Sequence, residues 1–543
     1  MARASNAMMN GARRQRTHKS FTIASAIFNF FQFLLSSTHN GDNRVSFLRR
    51  YDLKMQLHSP FAPNRRYRIL LLLSIFVIFG LAFSYYHVFN YLPVLPEFKT
   101  PSFSWASNSS KFWRTFAPLL ATAAPKCSPP ERPVEHAVAK SRFYDDSWNL
   151  RQGKNWQVEN FSNLLNLSDG DVESMRQSHS MFVDLLGSNS PALEYQKGTK
   201  GIVTSAGGSY FPVLIISLLM LRRTGSRLPV EVFLATSDEY EPQICDFVLP
   251  ALNAKCIVLS DLLMHSPHSF PFETYQLKVF AILFSSFESL LFIDADNFPL
   301  HPPEELFNTA PFTTHNLVLW PDYWTPTISP YFPTITGLDP ELLRNRPTIE
   351  AGQILVSKRH HSKTLLLVAY YNTYSEYFYN LISQGGPGEG DKDTFAPAAL
   401  VLNSTFYTVE SPPVNLGIRQ QGGSAVIQHD PTISISCPTC KARPFFIHAS
   451  WPPKLNALKQ IQIMRNWGTE EESKELFDGM DLEKTVWGYM VEVACRGRFE
   501  FRDWGEGNKS STPVCKQTRK SFGDMFGVEY RDGESFAGGG LLI

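Results

Sequence analysis

From residue 200 to 300 the chain alternates two hydrophobic rhythms. Short apolar runs bounded by small or polar residues read as buried strands. Longer stretches with apolar residues three and four apart read as helices. "GIVTSA" (201–206) fits the first kind, and helical spacing then runs from Tyr210 to Arg223, with Gly225 as its stop. "VEVFLAT" (230–236) and "KCIVLSDL" (255–262) read as further strands. "YQLKVFAILFSSF" (275–287) reads as a helix with Leu277, Phe280, Ala281 and Phe284 on one face, and "SLLFIDAD" (289–296) as the strand after it. Strand, helix and strand in that order imply parallel βαβ units in an α/β fold, with a ligand site outside the carboxyl ends of the strands.

Two segments reach that edge carrying candidate chemistry. "TSAGGS" (204–209) is not a GxGxxG fingerprint, so it does not support a dinucleotide site. Thr204, Gly207 and Gly208 could still let the backbone approach a nucleotide, and a plain tight turn fits equally well. The other segment is "FIDADN", with Asp294 and Asp296 one residue apart. Two close carboxylates repel and lose hydration, so unpaired they burden stability and call for something positive between them. In an extended segment both face one side. Together they could hold a hard divalent cation, directly or through water, that also takes oxygens from a substrate phosphate.

The region before residue 140 has another pattern. Residues 69–83, "ILLLLSIFVIFGLAF", extend through residue 88 to about 20 residues, the length of a membrane-crossing helix. Arg65, Arg66 and Arg68 precede the run and no Lys or Arg follows until Lys99, which puts the N-terminus in the cytosol. The expected organisation is a cytosolic region 1–64, a signal-anchor helix 65–88, a Pro- and Ser-rich extended stem 89–140, a globular domain 141–500 and a tail 501–543. A cleaved signal peptide is the alternative. The earlier apolar stretch 21–35 could lie in the interface, or translation could start at Met55.

Composition narrows the classes. A formal net charge of +1 creates no field that would favour nucleic acid, and 13% aromatic residues supply a large core and stacking surfaces. Sequons at Asn108, Asn160, Asn166, Asn403 and Asn508 agree with a lumenal position. An oxidising lumen would let the seven cysteines form up to three disulfides, with one left over. Cys245 with Cys256 and Cys495 with Cys515 are plausible local pairs. Cys437 and Cys440 in "CPTC" suit a structural disulfide or buried thiols better than a redox pair or half a zinc site.

Four further stretches, read in order, resemble one family: "YQLKVFAILFSSFESLLFIDADN", "TIEAGQILVSKRHH", "GEGDKDTFAPAAL" and "FIHASWPPKLNA". Together with the βαβ start they look like the fungal Golgi α-mannosyltransferases that branch outer-chain mannan, most of all the α-1,2 type. The resemblance covers roughly 200–456. It implies a single-pass type II Golgi membrane protein with a GT-A fold, a nucleotide-binding α/β sandwich around an Asp-x-Asp metal site. It also implies GDP-mannose as donor, an α-mannoside glycan as acceptor, retention of configuration, and possible membership of a Golgi transferase complex.

Read beside that resemblance, Asp294 and Asp296 would hold Mn²⁺ or Mg²⁺ against the leaving diphosphate. His448 is the candidate third ligand, because imidazole suits Mn²⁺, or else a hydrogen-bonded core histidine. The resemblance makes Lys454 a diphosphate contact, although Ser450 and Trp451 stand where the family has a glycine. Lys278 could reach the nucleotide or diphosphate, or sit on a solvated face. Glu350, in a polar kink read as a loop entering a strand, would bond mannose hydroxyls or stabilise developing oxocarbenium charge. Asp391 and Asp393 follow a glycine-rich loop and could be N-caps. Asp393 is the favoured sugar-contacting carboxylate. Trp320, Tyr323 and Trp324 suit either core packing or stacking on an acceptor.

Other readings stay open: an α-1,3-mannosyltransferase, a UDP-sugar transferase of the same fold, or a non-catalytic lumenal carbohydrate-binding protein. A hydrolase fits poorly, since glycosidase carboxyls lie about 5 to 10 Å apart on separate elements.

Overall fold

The computed structural model describes residues 103–132, 138–139, 161–264, 270, 274–344, 346–418, 423–436, 441–451, 453–459, 464–496, 499–505 and 513–528. The chain divides into two units, Met1–Pro93 and Val94–Ile543, and all described residues belong to the second. The apolar run 69–83, Asn160, Asn508, Cys437 and Cys440 lie outside the described residues. Among the described residues no helix is long and apolar enough to cross a membrane.

The elements that position the site begin with helix α1 (Phe103–Thr122) and helix α2 (Asp169–Ser188). Strand β1 (Gln196–Ser205), helix α3 (Phe211–Arg223) and strand β2 (Val230–Leu234) form the expected βαβ unit. Gly225, at φ +85°, ends α3 as its position in the sequence suggests. Strand β3 (Ala254–Val258), helix α4 (Thr274–Phe284) and strand β4 (Phe287–Ile293) follow. Then come β5 (Asn297–Pro299), β6 (Leu317–Pro321), β7 (Ile349–Ser357), helix α5 (Ser362–Thr373) and β8 (Tyr407–Thr408). The chain continues with β9 (Val414–Leu416), β10 (Ala425–His429), β11 (Pro444–His448), α6 (Leu482–Cys495) and α7 (Pro513–Phe526).

One sheet of seven strands runs β3-β2-β1-β4-β7-β6-β8, and a smaller sheet runs β5-β11-β10-β9. The first four strands of the large sheet are parallel, and β7 is antiparallel to both β4 and β6. From β1 the chain builds outward to β2 and β3, then returns to the other side of β1 as β4. The strand order therefore reverses between β1 and β4, and such a reversal opens a crevice at the carboxyl ends of the two strands.

Alternation along each strand sends apolar side chains to both faces. Ile202, Val232 and Leu291 pack under α3, α6 and α7, while Val203, Phe233 and Phe292 pack under α1, α4 and α5. A sheet covered on both faces explains why its strands read as unbroken apolar runs.

Two boundaries differ from the expectation. The stretch read as an extended stem, 89–140, contains α1, whose Trp113 is buried against α4 and Phe116 against Phe182 of α2. Its apolar residues Trp105, Phe112, Trp113, Phe116 and Leu120 fall at helical spacing, and the intervening Ser and Asn residues had masked the stripe. The tail read from residue 501 likewise contains α7, whose Cys515, Phe522 and Met525 are buried. Both local cysteine pairs are bonded, Cys245 with Cys256 and Cys495 with Cys515, and the second ties α7 to α6.

Candidate functional site

Asp294 leaves the last residue of β4 and Asp296 follows in a tight turn, closed by Asn297 N–H donating to the Asp294 carbonyl at 3.0 Å. The pair is thus not extended, as the sequence suggested, yet the turn still brings the two carboxylates together. The third member arrives from the other sheet. His448 ends β11, and β11 pairs with β5 so that His448 stands opposite Asn297. Its Nε2 lies 3.2 Å from Asp296 Oδ1 and 3.8 Å from Asp294 Oδ2. One ligand atom from each of the three residues falls within 4.8 Å of the others.

Glu350 orients the histidine. Its Oε1 lies 2.8 Å from His448 Nδ1 and also accepts from Gly352 N–H at 2.8 Å, while Oε2 accepts from Gln353 at 2.7 Å. Residues 349–357 are one continuous strand, not a loop entering one. The register between β6 and β7 slips there, pairing Leu319 with Ile354 and Trp320 with Glu350, so a bulge at 351–353 absorbs the polar residues. Asn297 pins the bulge by donating to Gly352 O and Gln353 Oε1, both at 2.7 Å. Sequence reasoning gave Asn297 no role, although it directly follows the two aspartates.

The basic groups divide between the two carboxylates. Lys278 Nζ lies 3.3 Å from both oxygens of Asp294, 3.2 Å from Asp391 and 2.7 Å from Ala351 O. The ammonium is thus enclosed by two carboxylates and a carbonyl. The expectation that Lys278 reaches a diphosphate gives way to a buried counter-charge for Asp294 and Asp391. Lys454 Nζ lies 2.9 Å from Asp296 Oδ2 and 5.7 Å from the centre of the Tyr210 ring, with 33% of its side chain exposed. It joins the end of β4 to the loop after β1, across the crevice where strand order reverses.

These contacts set the protonation states. Burial raises the Asp294 carboxyl above the usual aspartate range, with Lys278 and His448 pulling against it. Burial also opposes the Asp296 charge, but His448 and Lys454 outweigh it and hold that carboxyl below the usual range. Burial alone would lower His448, yet Glu350 and Asp296 raise it well above an ordinary histidine. Lys278 and Lys454 are both raised, burial being overcome by Asp294 and Asp391 for the first and by Asp296 for the second.

The donor set fits a divalent cation. With His448 neutral, Asp294, Asp296, Glu350 and Asp391 exceed Lys278 and Lys454 by two negative charges. With Nδ1–H donating to Glu350, the Nε2 lone pair faces both aspartates, the carboxylate–histidine arrangement common at metal sites. Two carboxylates and an imidazole suit Mn²⁺. Cation and proton would then compete for His448, so affinity falls as pH falls. Glu350→Ala is expected to weaken Mn²⁺ binding about 10- to 100-fold by freeing the ring to turn. Calorimetric titration checks this, and an unchanged Mn²⁺ Kd would contradict it.

The other expected residues fall around this group. Asp391 faces it through Lys278. Asp393 accepts from Ile349 N–H at 2.9 Å and so anchors the start of β7 instead. Neither caps the short helix that follows, since its N-terminus carries no side-chain cap. Thr204 is buried at the end of β1, its hydroxyl without a hydrogen-bond partner. A side chain at Gly207 would meet the Glu239 carboxylate 2.7 Å from its Cβ, and Gly208, at φ +50°, borders open space. Trp320 and Tyr323 are buried, and the Trp320 indole donates to His429 O at 2.9 Å. They belong to the core and present no stacking surface.

Residues 199–347 and 341–434 match a mannosyltransferase family, Mannosyl_trans3. The chain is 30% identical to alpha-1,2-mannosyltransferase MNN2 of Saccharomyces cerevisiae over 68% of each protein. It is 31% identical to alpha-1,2-mannosyltransferase MNN5 of the same species over 62% of this chain and 67% of that one. Alpha-1,2-mannosyltransferase MNN24 of Candida albicans is 38% identical over 51% of this chain and 45% of its own length. The chain thus spans about half the length of that Candida relative. Among solved structures, the galactosyltransferase LgtC with donor and acceptor sugar analogues aligns over 38% of this chain and 73% of that one. Its TM-score of 0.26 and 14% identity are too low to bear on the fold.

Proposed function

Because this chain belongs to the Mannosyl_trans3 family of mannosyltransferases, we propose that it transfers mannose from GDP-mannose to an α-mannoside, forming an α-1,2 linkage with retention, on a GT-A fold. The observation that carries this reading is the convergence of Asp294, Asp296 and His448 at the carboxyl edge of the parallel strands, with Lys454 alongside. A retaining transfer breaks a sugar–phosphate bond, and negative charge grows on the departing nucleoside diphosphate. A Mn²⁺ held by Asp294, Asp296 and His448 would act there as a Lewis acid.

The chain's own residues do the rest. Glu350 fixes the imidazole so that Nε2 points at the aspartates. Lys278 works against the burial that raises the Asp294 carboxyl. Lys454 sits partly in solvent, so its ammonium can turn from Asp296 to a diphosphate oxygen, where a charge-assisted bond strengthens as negative charge develops. The crevice beside Gly207 and Gly208 suits the nucleoside.

A type II Golgi membrane position belongs to the same proposal. It is supported by Arg65, Arg66 and Arg68 before the apolar run and by the sequons after it. The test is a donor screen of the purified full chain with Mn²⁺, an α-mannoside acceptor, and GDP-mannose or UDP-sugars, with the linkage read by NMR. Transfer from GDP-mannose with a 1→2 product is expected. A 1→3 product, or transfer from UDP-sugars alone, overturns the reading.

A further inference from the structure

We propose that Tyr275 is the stacking platform for a pyranose ring of the acceptor glycan, an inference that rests on the site being a sugar-transfer site. Tyr275 lies in the first turn of α4, and 60% of it is exposed while most of the helix beyond Leu277 is buried. A single exposed aromatic residue is ordinary. Its position is what counts here.

Tyr275 and Lys278 are three residues apart on one helix, so they share a face. Lys278 bonds both Asp294 and Asp391. Gly390, the residue before Asp391, lies under the Tyr275 ring, where a side chain would meet Cγ at 3.4 Å and Cδ1 at 3.6 Å. Its φ of +148° is one that other residues rarely adopt. The ring therefore rests on a glycine at the rim of the metal group, propped from below and open to solvent.

The metal group has two flanks, which separates the substrates. On the Asp296 flank stand Lys454, Tyr210 and the glycines after β1, and Asn456 ties that loop by donating to Ser209 O at 3.3 Å. A cation with freedom to move and a glycine turn at the end of a parallel strand suit a nucleoside diphosphate. Trp451, 44% exposed, belongs to this flank, since its carbonyl accepts from Lys454 N–H. On the Asp294 flank stand Lys278, Asp391, Gly390 and Tyr275. With the diphosphate on the first flank, the sugar acceptor is left the second. A pyranose presents a patch of C–H bonds on one face, and an aromatic ring with a negative face is its natural partner. The buried Trp320 and Tyr323 cannot serve, whereas Tyr275 can.

The experiment uses the full chain with Mn²⁺ and saturating GDP-mannose, and compares wild type, Tyr275→Ala, Tyr275→Phe and Phe247→Ala. Phe247 is 66% exposed and sits next to the disulfide at the β3 edge, so it controls for loss of any exposed aromatic residue. Initial rates are measured against α-mannobiose, with GDP affinity by calorimetry. Tyr275→Ala should raise the acceptor KM about tenfold, with kcat and the GDP Kd within twofold. Tyr275→Phe should restore it, and Phe247→Ala should change nothing. An unchanged acceptor KM in Tyr275→Ala overturns the proposal, as does a parallel fall in kcat and GDP affinity. Saturation-transfer NMR of α-mannobiose is the readout independent of turnover. Binding lost only in Tyr275→Ala upholds the platform even if wild type transfers nothing. Absence of mannoside binding in wild type overturns it.

Discussion

Replacing Asp294 or Asp296 by Asn is expected to lower mannose transfer a hundredfold or more. Asn keeps the shape and removes one charged ligand from the cation. Losing such a contact costs a few kcal/mol at the transition state, on the order of a hundredfold in rate. The two variants should differ in stability. Burial raises the Asp294 carboxyl, so its charge is a cost to the fold, and Asp294→Asn should melt close to wild type. His448 and Lys454 outweigh burial to depress Asp296, so that charge stabilises the fold above the unfolded aspartate pKa of about 3.9 and ceases to as pH falls through the lower folded value. Asp296→Asn should therefore melt lower at neutral pH, with the difference shrinking in acid. Activity against Mn²⁺ concentration, with thermal melts of the same samples, checks both statements. Near-normal, metal-independent turnover in either variant would contradict the assignment. The sequence alone suggests two unpaired carboxylates that burden stability; in the structure each meets a lysine, Lys278 shared between Asp294 and Asp391 and Lys454 at Asp296, and only at Asp296 do the partners outweigh burial.

Lys278→Met is expected to be the most damaging single change to the fold near the site. The ammonium is buried and bonds Asp294, Asp391 and the Ala351 carbonyl. Removing it leaves the buried Asp391 and the partly exposed Asp294 with no shared cation. Breaking a buried pair from one side typically costs about 3–5 kcal/mol. The sign of the pH effect follows. Burial already raises both Asp294 and Asp391, and without Lys278 they rise further. A carboxyl whose folded pKa is raised destabilises as pH climbs from the unfolded value toward the folded one. The loss in Lys278→Met should thus be large at pH 7 and small near pH 4. Asp391→Asn added to Lys278→Met should recover part of it, because one of the orphaned charges is gone. Urea melts at several pH values measure this, and a stability equal to wild type at pH 7 would contradict it.

How far the sequence carried depends on where each signal's partner lies. β1, α3, β2 and β4 were legible because their apolar runs are local and end in polar residues. The polar start of "IEAGQILVS" reads as a loop entering the strand at "ILVS" because Glu350 and Gln353 are polar, whereas the strand runs through all of it. Their partners, His448 and Asn297, lie 98 and 56 residues away, and only folding shows that the polarity is satisfied. α1 was hidden by its Ser and Asn residues, which look like a linker until Trp113 meets Phe280 and Phe284. Asp294, Asp296 and His448 could be singled out because the carboxylates follow an apolar strand, the histidine follows an apolar run, and the family resemblance adds a metal role to both. The division of work between Asp391 and Asp393, and between Lys278 and Lys454, could not be. Each depends on which way a side chain turns once β7 and α4 are packed.

On the proposed function, Asp294, Asp296 and His448 together hold one divalent cation at which a nucleoside diphosphate binds. Mn²⁺ titrated into the full chain, followed by the electron paramagnetic resonance signal of the free ion, tests it most directly. One bound Mn²⁺ per chain is expected, tightened by GDP, weakened as pH falls, and lost in Asp296→Asn. A Mn²⁺ affinity in Asp296→Asn equal to wild type, with or without GDP, would contradict it.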